Sequence, residues 1–305
     1  MDTHRLSGAA RRLGSILEPV VGQVYFSPEC HANYQTLGFD PSARTANGVA
    51  LPDGPAYFTS RGSVMGQVPG EVVSAAFAVF NPEIVIPHVT LGWTRTDAAS
   101  ICAARDDGAI AQLRRLLGES PDGLERAAEL LARAVKPLRP EGRPLYAGVR
   151  SLAMPDSALG AVWRMGDMLR EYRGDSHTTA WVSAGFDATE IGLLTELFWG
   201  LPMRSYSRTR AWNNEQFDAA HDRLRARGLV DDSALTDLGR AVREDIEVHT
   251  DMQMAPAISA LGPDIDELFR IMAPWGVTVR AGFGYLPGGP HDLALAASSG
   301  SDAPR

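Results

Sequence analysis

A chain of 305 residues, 45% of them hydrophobic, is long enough for about two average domains and too apolar to remain disordered. A net charge of -8 argues against a polyanion as the first partner to consider, and the two cysteines, Cys30 and Cys102, are too few for a disulfide framework. No stretch reaches the roughly 20 apolar residues that span a bilayer, and the opening MDTHRLSGAARRLGSILEPVV has no long apolar run ending in a cleavage site, so a cytoplasmic protein without membrane contact is expected.

In chain order, Leu6, Leu13, Ile16, Leu17 and Val20 recur at near-helical spacing and predict a first helix over Arg5 to Val21. Ser27 can cap, and Pro28 can open, a second helix that Gly38 ends. Residues 41–55, PSARTANGVALPDGP, read as a loop or lid. The dense apolar stretch that follows predicts a buried helical pair broken at Gly66 to Pro69. Helix is expected again from Trp93 to Gly118 and, with an amphipathic pattern, from Asp122 to Val135. Residues 137–155 carry Pro137, Pro140, Gly142, Pro144, Gly148 and Pro155 and read as a linker. Beyond it, helices are predicted over Ser157 to Tyr172, His177 to Ala184 and Thr189 to Trp199.

Phe217, Ala220, His221 and Leu224 then mark another helix, stopped at Gly228. Leu229 and Val230 begin a short strand, Asp231 to Ser233 supply a turn, and Leu235 begins the return. Thr236 or Asp237 caps a long helix that starts near Gly239. The pattern L-x-x-R-G-L-V-x-x-x-x-L-T-x-x-G-R-A resembles the MarR-like winged-helix repressors. From Gly282 the chain reads as a frayed tail.

A repeat is visible in two places. His31 precedes Gly38-Phe39-Asp40 much as His177 precedes Gly185-Phe186-Asp187, and the interval from Trp93 to Gly108 nearly equals that from Trp212 to Gly228. The stretches SPECHANY, YFTSRGSVMG, FNPEIV and REYRGDSHTTAWVSAGFDATE, with the winged-helix pattern, resemble an actinobacterial family of helix-turn-helix fold. That resemblance implies a tandem winged-helix architecture and carries over no catalytic residue. The expectation is a mainly α protein of two winged-helix-like domains, residues 1–136 and 156–281, the second with a small β-hairpin wing and the first without one. Residues 282–305 form the tail.

Three groups of residues are candidates for chemistry. Arg173, Asp175 and His177 fall at an expected helix-to-helix junction, where a carboxylate could orient an imidazole as acid or base; ordinary capping explains the same residues. Glu29, His31 and Tyr34 hold the equivalent place in the first half, where the competing reading is of solvent-exposed first-turn residues. The third group is Tyr57 and Arg61 with Asn81, since an arginine among small apolar residues needs a partner: a ligand carboxylate, Glu29 or Glu71. Trp181 is among the aromatic residues that could line an apolar pocket, or that could simply be core. No HExxH or Cys/His cluster points to a metal. No GxSxG elbow, phosphate-binding GxxxxGK[ST] loop or Rossmann fingerprint is present, and no cofactor is indicated.

Two functions compete. One is binding or transforming an apolar or carboxylate-bearing small molecule between the halves, and the other is transcriptional regulation through DNA. Residues 156–280 carry 13 Arg and no Lys against 20 Asp and Glu, the wrong sign for neutralising phosphates. Glu215, Asp218 and Asp222 are expected on the outer stripe of the would-be recognition helix. Arg208, Arg210, Arg223, Arg225 and Arg227 could still form a local basic rim.

Overall fold

The computed structural model describes residues 3–42, 44–290, 292 and 293. The chain is mainly helical. Helix α1 (Thr3–Val21) continues through a short 3-10 turn, and α2 (Pro28–Thr36) opens where Ser27 accepts the Cys30 N–H. After a hairpin, β1 (Arg44–Ala46) and β2 (Val49–Leu51), come α3 (Gly54–Gly62) and α4 (Gly70–Phe77), the expected broken pair. Next are α5 (Pro82–Arg95) and α6 (Ala98–Leu117), separated where Asp97 caps α6, and then the amphipathic α7 (Leu124–Val135).

The segment expected as a linker folds. Pro144 enters the first turn of α8 (Pro144–Ser151), which buries Leu145, Tyr146 and Val149 against α9 (Ala158–Ser183). Proline at the start of a helix is compatible with its missing N–H, which is why this Pro/Gly-rich stretch holds a helix after all.

The second correction concerns α9, a single helix of 26 residues. It runs straight through YRGDSHTT, where a junction was expected. Leu159, Val162, Trp163, Met165, Met168, Leu169 and Tyr172 pack in one apolar core, and Ala180 and Trp181 in another. The polar residues between them mark the passage from core to core, which in sequence looks like a helix end. The larger core gathers α1–α8, the first half of α9, α13 (Ala255–Leu261) and α14 (Ile265–Ala281). The smaller one gathers the end of α9, α10 (Ala188–Phe198), α11 (Asn214–Ala226) and Ile246 of α12 (Asp237–Gln253). A border at 137–155 therefore separates neither core, because α13 and α14 return to the larger one.

The wing is smaller than expected: a single antiparallel bridge joins Val230 to Leu235, after which Thr236 caps α12 by accepting the Gly239 N–H. The two-stranded hairpin lies instead inside the 41–55 stretch, whose composition predicts a loop or lid. Asn47 and Gly48, with φ of 49° and 79°, form its two-residue turn. Asn-Gly suits a turn with both φ positive, so the signal was present in the sequence.

Local chemistry accounts for the repeated Gly-Phe-Asp. Gly38 and Gly185 both have positive φ and donate to Gln35 and Val182. Phe39 and Phe186 donate back to Tyr34 and Trp181. Both are Schellman helix stops with a buried aromatic at the second position after the helix, and such a stop needs no duplicated domain. Nor is the start of the tail frayed: Tyr285 donates to Glu18 at 3.0 Å and meets Phe26 edge-on. Residues 294–305 lie outside the described residues.

Candidate functional site

Helix α9 presents Arg164, Asp167, Glu171, Asp175, Thr178 and Val182 three and four residues apart, on one stripe. Its first part is a buried ion network. Asp167 accepts from Arg105 of α6 at 2.7 Å, Arg164 binds Asp106, and both guanidiniums lie near the Trp163 ring. Glu171 accepts both arms of Arg61 at 3.1 and 2.8 Å, Arg170 at 2.8 Å and the Tyr25 hydroxyl at 3.2 Å. Burial alone would raise the Glu171 carboxyl, but Arg61 and Arg170 hold it down to about 2.

One turn further, Asp175 accepts the Tyr146 N–H at 2.9 Å and so caps α8 from outside. Burial pushes its carboxyl up to about 7, against that hydrogen bond and with the Glu171 charge adding to the rise. The stripe then reaches open space. Asp175, Thr178, Thr179 and Val182 face Ala75 and Ala76 of α4 and Pro144 across a recess of about 340 Å³. Past Thr178 and Val182 it joins a groove of about 720 Å³ between the α4–α5 corner and the α10–α11 unit.

Ala75, Ala78, Pro82, Ile86 and Val182 make this groove apolar, and Trp181 and Trp212 supply indole walls. The corner is latched: Trp212 donates to Val79 O at 2.9 Å, and Asn81 donates to Ala211 O at 3.1 Å. Trp181 is 4% exposed, and its indole N–H has no hydrogen-bond partner among the described residues. Ser74, Thr178, Thr189 and Gln216 add neutral polar groups, and Glu71, Asp187 and Arg223 add charge. Arg223 is held by Asp187 and Glu190, and Glu71 stands exposed in the first turn of α4.

A model described as a helix-turn-helix family matches residues 10–287. The chain belongs to that helix-turn-helix family. No curated protein and no solved structure matches it. Within this helix-turn-helix protein, α10, α11, the single bridge and α12 are the parts that correspond in order to the winged-helix pattern.

The expected site residues disperse. In α9, His177 places Nδ1 3.0 Å from Thr250 Oγ1, away from Asp175, whose carboxylate turns to α8. Arg173 pairs with Asp251 at 2.9 Å and Glu247 at 3.3 Å, tying α9 to α12. His31 lies 3.0 Å from Tyr25 O, and burial lowers its pKa. Its hydrogen bond to Tyr25 O and that of His177 to Thr250 Oγ1 lead to different elements. Glu29, in the first turn of α2, pairs with Arg115, and Tyr34 is buried beside Cys30. Arg61 reaches Tyr57 at 3.5 Å, but the carboxylate it grips is the protein's own Glu171, in place of a ligand, Glu29 or Glu71. Asn81 caps α5 by accepting the Glu83 N–H.

Of all these, only Asp175 and Trp181 line the groove or its recess. The α9 ion stripe has a signal in the sequence, the three- and four-residue spacing of Arg164, Asp167, Glu171 and Asp175. Ala75, Ala78 and Ile86 carried no signal, because only tertiary packing makes them neighbours, and Arg223, expected in a basic rim, lines the groove instead.

Proposed function

We propose that this protein binds a small, largely apolar molecule in the groove between the α4–α5 corner and the helix-turn-helix unit. In this reading that unit is a MarR-like winged helix kept as a wall of the site. The observation that carries the proposal is the groove itself: a volume of about 720 Å³ with two indoles and an apolar run from Ala75 to Ile86, in the size range of ligand sites that fold-level interfaces commonly form. Its recess adds Asp175, a carboxylic acid poised near neutrality.

The electrostatics of α11 support the same reading. Phe217, Ala220 and Leu224 face the core, and Gln216, Ala219 and Arg223 face the groove. The remaining outer stripe carries Glu215, Asp218 and Asp222, all exposed. Phosphate neutralisation supplies much of the affinity of DNA-binding proteins, and carboxylates there oppose it. The nearby arginines are engaged: Arg204 with Asp218, Arg208 with Asn214, Arg210 with Tyr206, Arg225 with Asp232, and Arg227 with Glu190 and the Phe186 ring.

Regulation through DNA is the second reading, favoured by membership of a helix-turn-helix family. One experiment separates the two. The full chain and Ala75→Trp, which fills the groove from an exposed position, are screened against apolar compounds by tryptophan fluorescence and against duplex DNA over a salt series. Saturable compound binding that Ala75→Trp abolishes supports the groove. Salt-dependent duplex binding, equal in both proteins and without compound binding, overturns it.

A further inference from the structure

Resting on the groove reading above, we infer that the ligand carries a cation: a small molecule with an aromatic or aliphatic body and an amine or quaternary ammonium group. The charges around the groove point that way. Its lining includes three ionisable side chains, Glu71, Asp187 and Arg223. Arg223, the single cation among them, places Nε 3.1 Å from Glu190 and binds Asp187 with Nη2, so two carboxylates share its charge. Glu190 is buried and receives Arg227 as well, at 3.9 Å. An incoming anion would therefore have to compete with built-in carboxylates for this guanidinium.

Glu71 is in the opposite condition. It lies in the first turn of α4, exposed, and its carboxylate has no hydrogen-bond or ion-pair partner among the described residues. A negative charge is well placed at a helix N-terminus, which attracts it without pairing it. At the far end of the joined recess the titratable group is again an acid, Asp175. A groove with free negative charge at its rim and a saturated guanidinium inside selects for positive charge.

The indoles act in the same direction. Trp212 is half-buried with its N–H fixed on Val79 O, which sets the orientation of its ring at the groove wall. Aromatic faces attract ammonium groups through the ring quadrupole, most strongly for Trp, and quaternary ammonium recognition commonly combines such faces with a carboxylate. No ion network has to be broken for a cation to enter, whereas a carboxylate ligand would meet Glu71 and Asp187 unpaired or displaced. The ligand's apolar body is what the run Ala75, Ala78, Pro82, Ile86 and Val182 accommodates.

The test uses three probes with one naphthyl body and a trimethylammonium, a hydroxyl or a carboxylate on the same linker. Binding to the full chain is measured by titration calorimetry at low and high salt, with Glu71→Gln and Ala75→Trp in parallel. The expected order is ammonium, then hydroxyl, then carboxylate. Glu71→Gln should weaken the ammonium probe about fivefold at low salt, the size of one exposed charge pair, and leave the hydroxyl probe unchanged. A carboxylate probe that binds best, or an ammonium probe indifferent to Glu71→Gln, overturns the charge assignment; the groove reading survives that result if Ala75→Trp still blocks binding. Failure of all three probes overturns the groove reading and this inference with it.

Discussion

The carboxyl of Asp175 offers the sharpest test of the packing around α9. It is 3% exposed, accepts the Tyr146 N–H at the start of α8, and stands one turn from the ionised Glu171. Burial raises its pKa from 3.8 to about 7. Between those values the native state holds a proton that the unfolded chain has released, so stability falls as pH rises through this window and levels off above the folded pKa. From pH 5 to pH 8.5 the group should remove roughly 2.5 kcal/mol.

Asp175→Asn keeps an oxygen for Tyr146 and cannot ionise. Urea unfolding of both proteins at the two pH values isolates the effect, because Asp251, pushed up by burial to about 6, titrates in both and cancels in the difference. Glu171, held down to about 2, stays charged throughout. The variant should gain roughly 2.5 kcal/mol on the wild type between pH 5 and pH 8.5. A difference that stays constant within a few tenths would mean that Asp175 titrates normally and that its burial beside Glu171 has been misjudged.

Four further outcomes follow from the geometry. Arg61→Leu should cost about 3–5 kcal/mol in urea unfolding, since it strips Glu171 of a two-armed partner while the carboxylate stays buried; a loss below about 1 kcal/mol refutes the network. Trp212→Phe should be more destabilising than Trp181→Phe by about 1 kcal/mol, because only Trp212 loses a hydrogen bond, and the reverse order in thermal unfolding would contradict this. Gly38→Ala and Gly185→Ala should each cost about 1–2 kcal/mol if both are left-handed helix stops, and unequal losses would separate the two motifs. His177→Ala should cost about 1 kcal/mol through the lost Thr250 contact and leave groove binding unchanged; altered ligand affinity would return His177 to the site.

What the sequence alone determined is what nearby residues decide. Ser27 opening α2, Thr236 opening α12, the stops at Gly38 and Gly228, and the inward face Phe217, Ala220 and Leu224 all depend on groups within a turn or two, so propensity and spacing suffice. The mainly helical class and the helix-turn-helix character follow from the same signals. The hairpin at Asn47-Gly48 was legible too, but was hidden by a composition that also suits a loop. What tertiary structure alone decided involves residues far apart in the chain. Arg61 chose Glu171, 110 residues away, over the two nearer acids, because α9 brings that carboxylate into the larger core. Helix α9 stays unbroken through its polar stretch because packing on both sides outweighs the local preference for capping. The groove exists because Trp212 and Asn81 latch two elements more than 100 residues apart, a contact that no local period encodes.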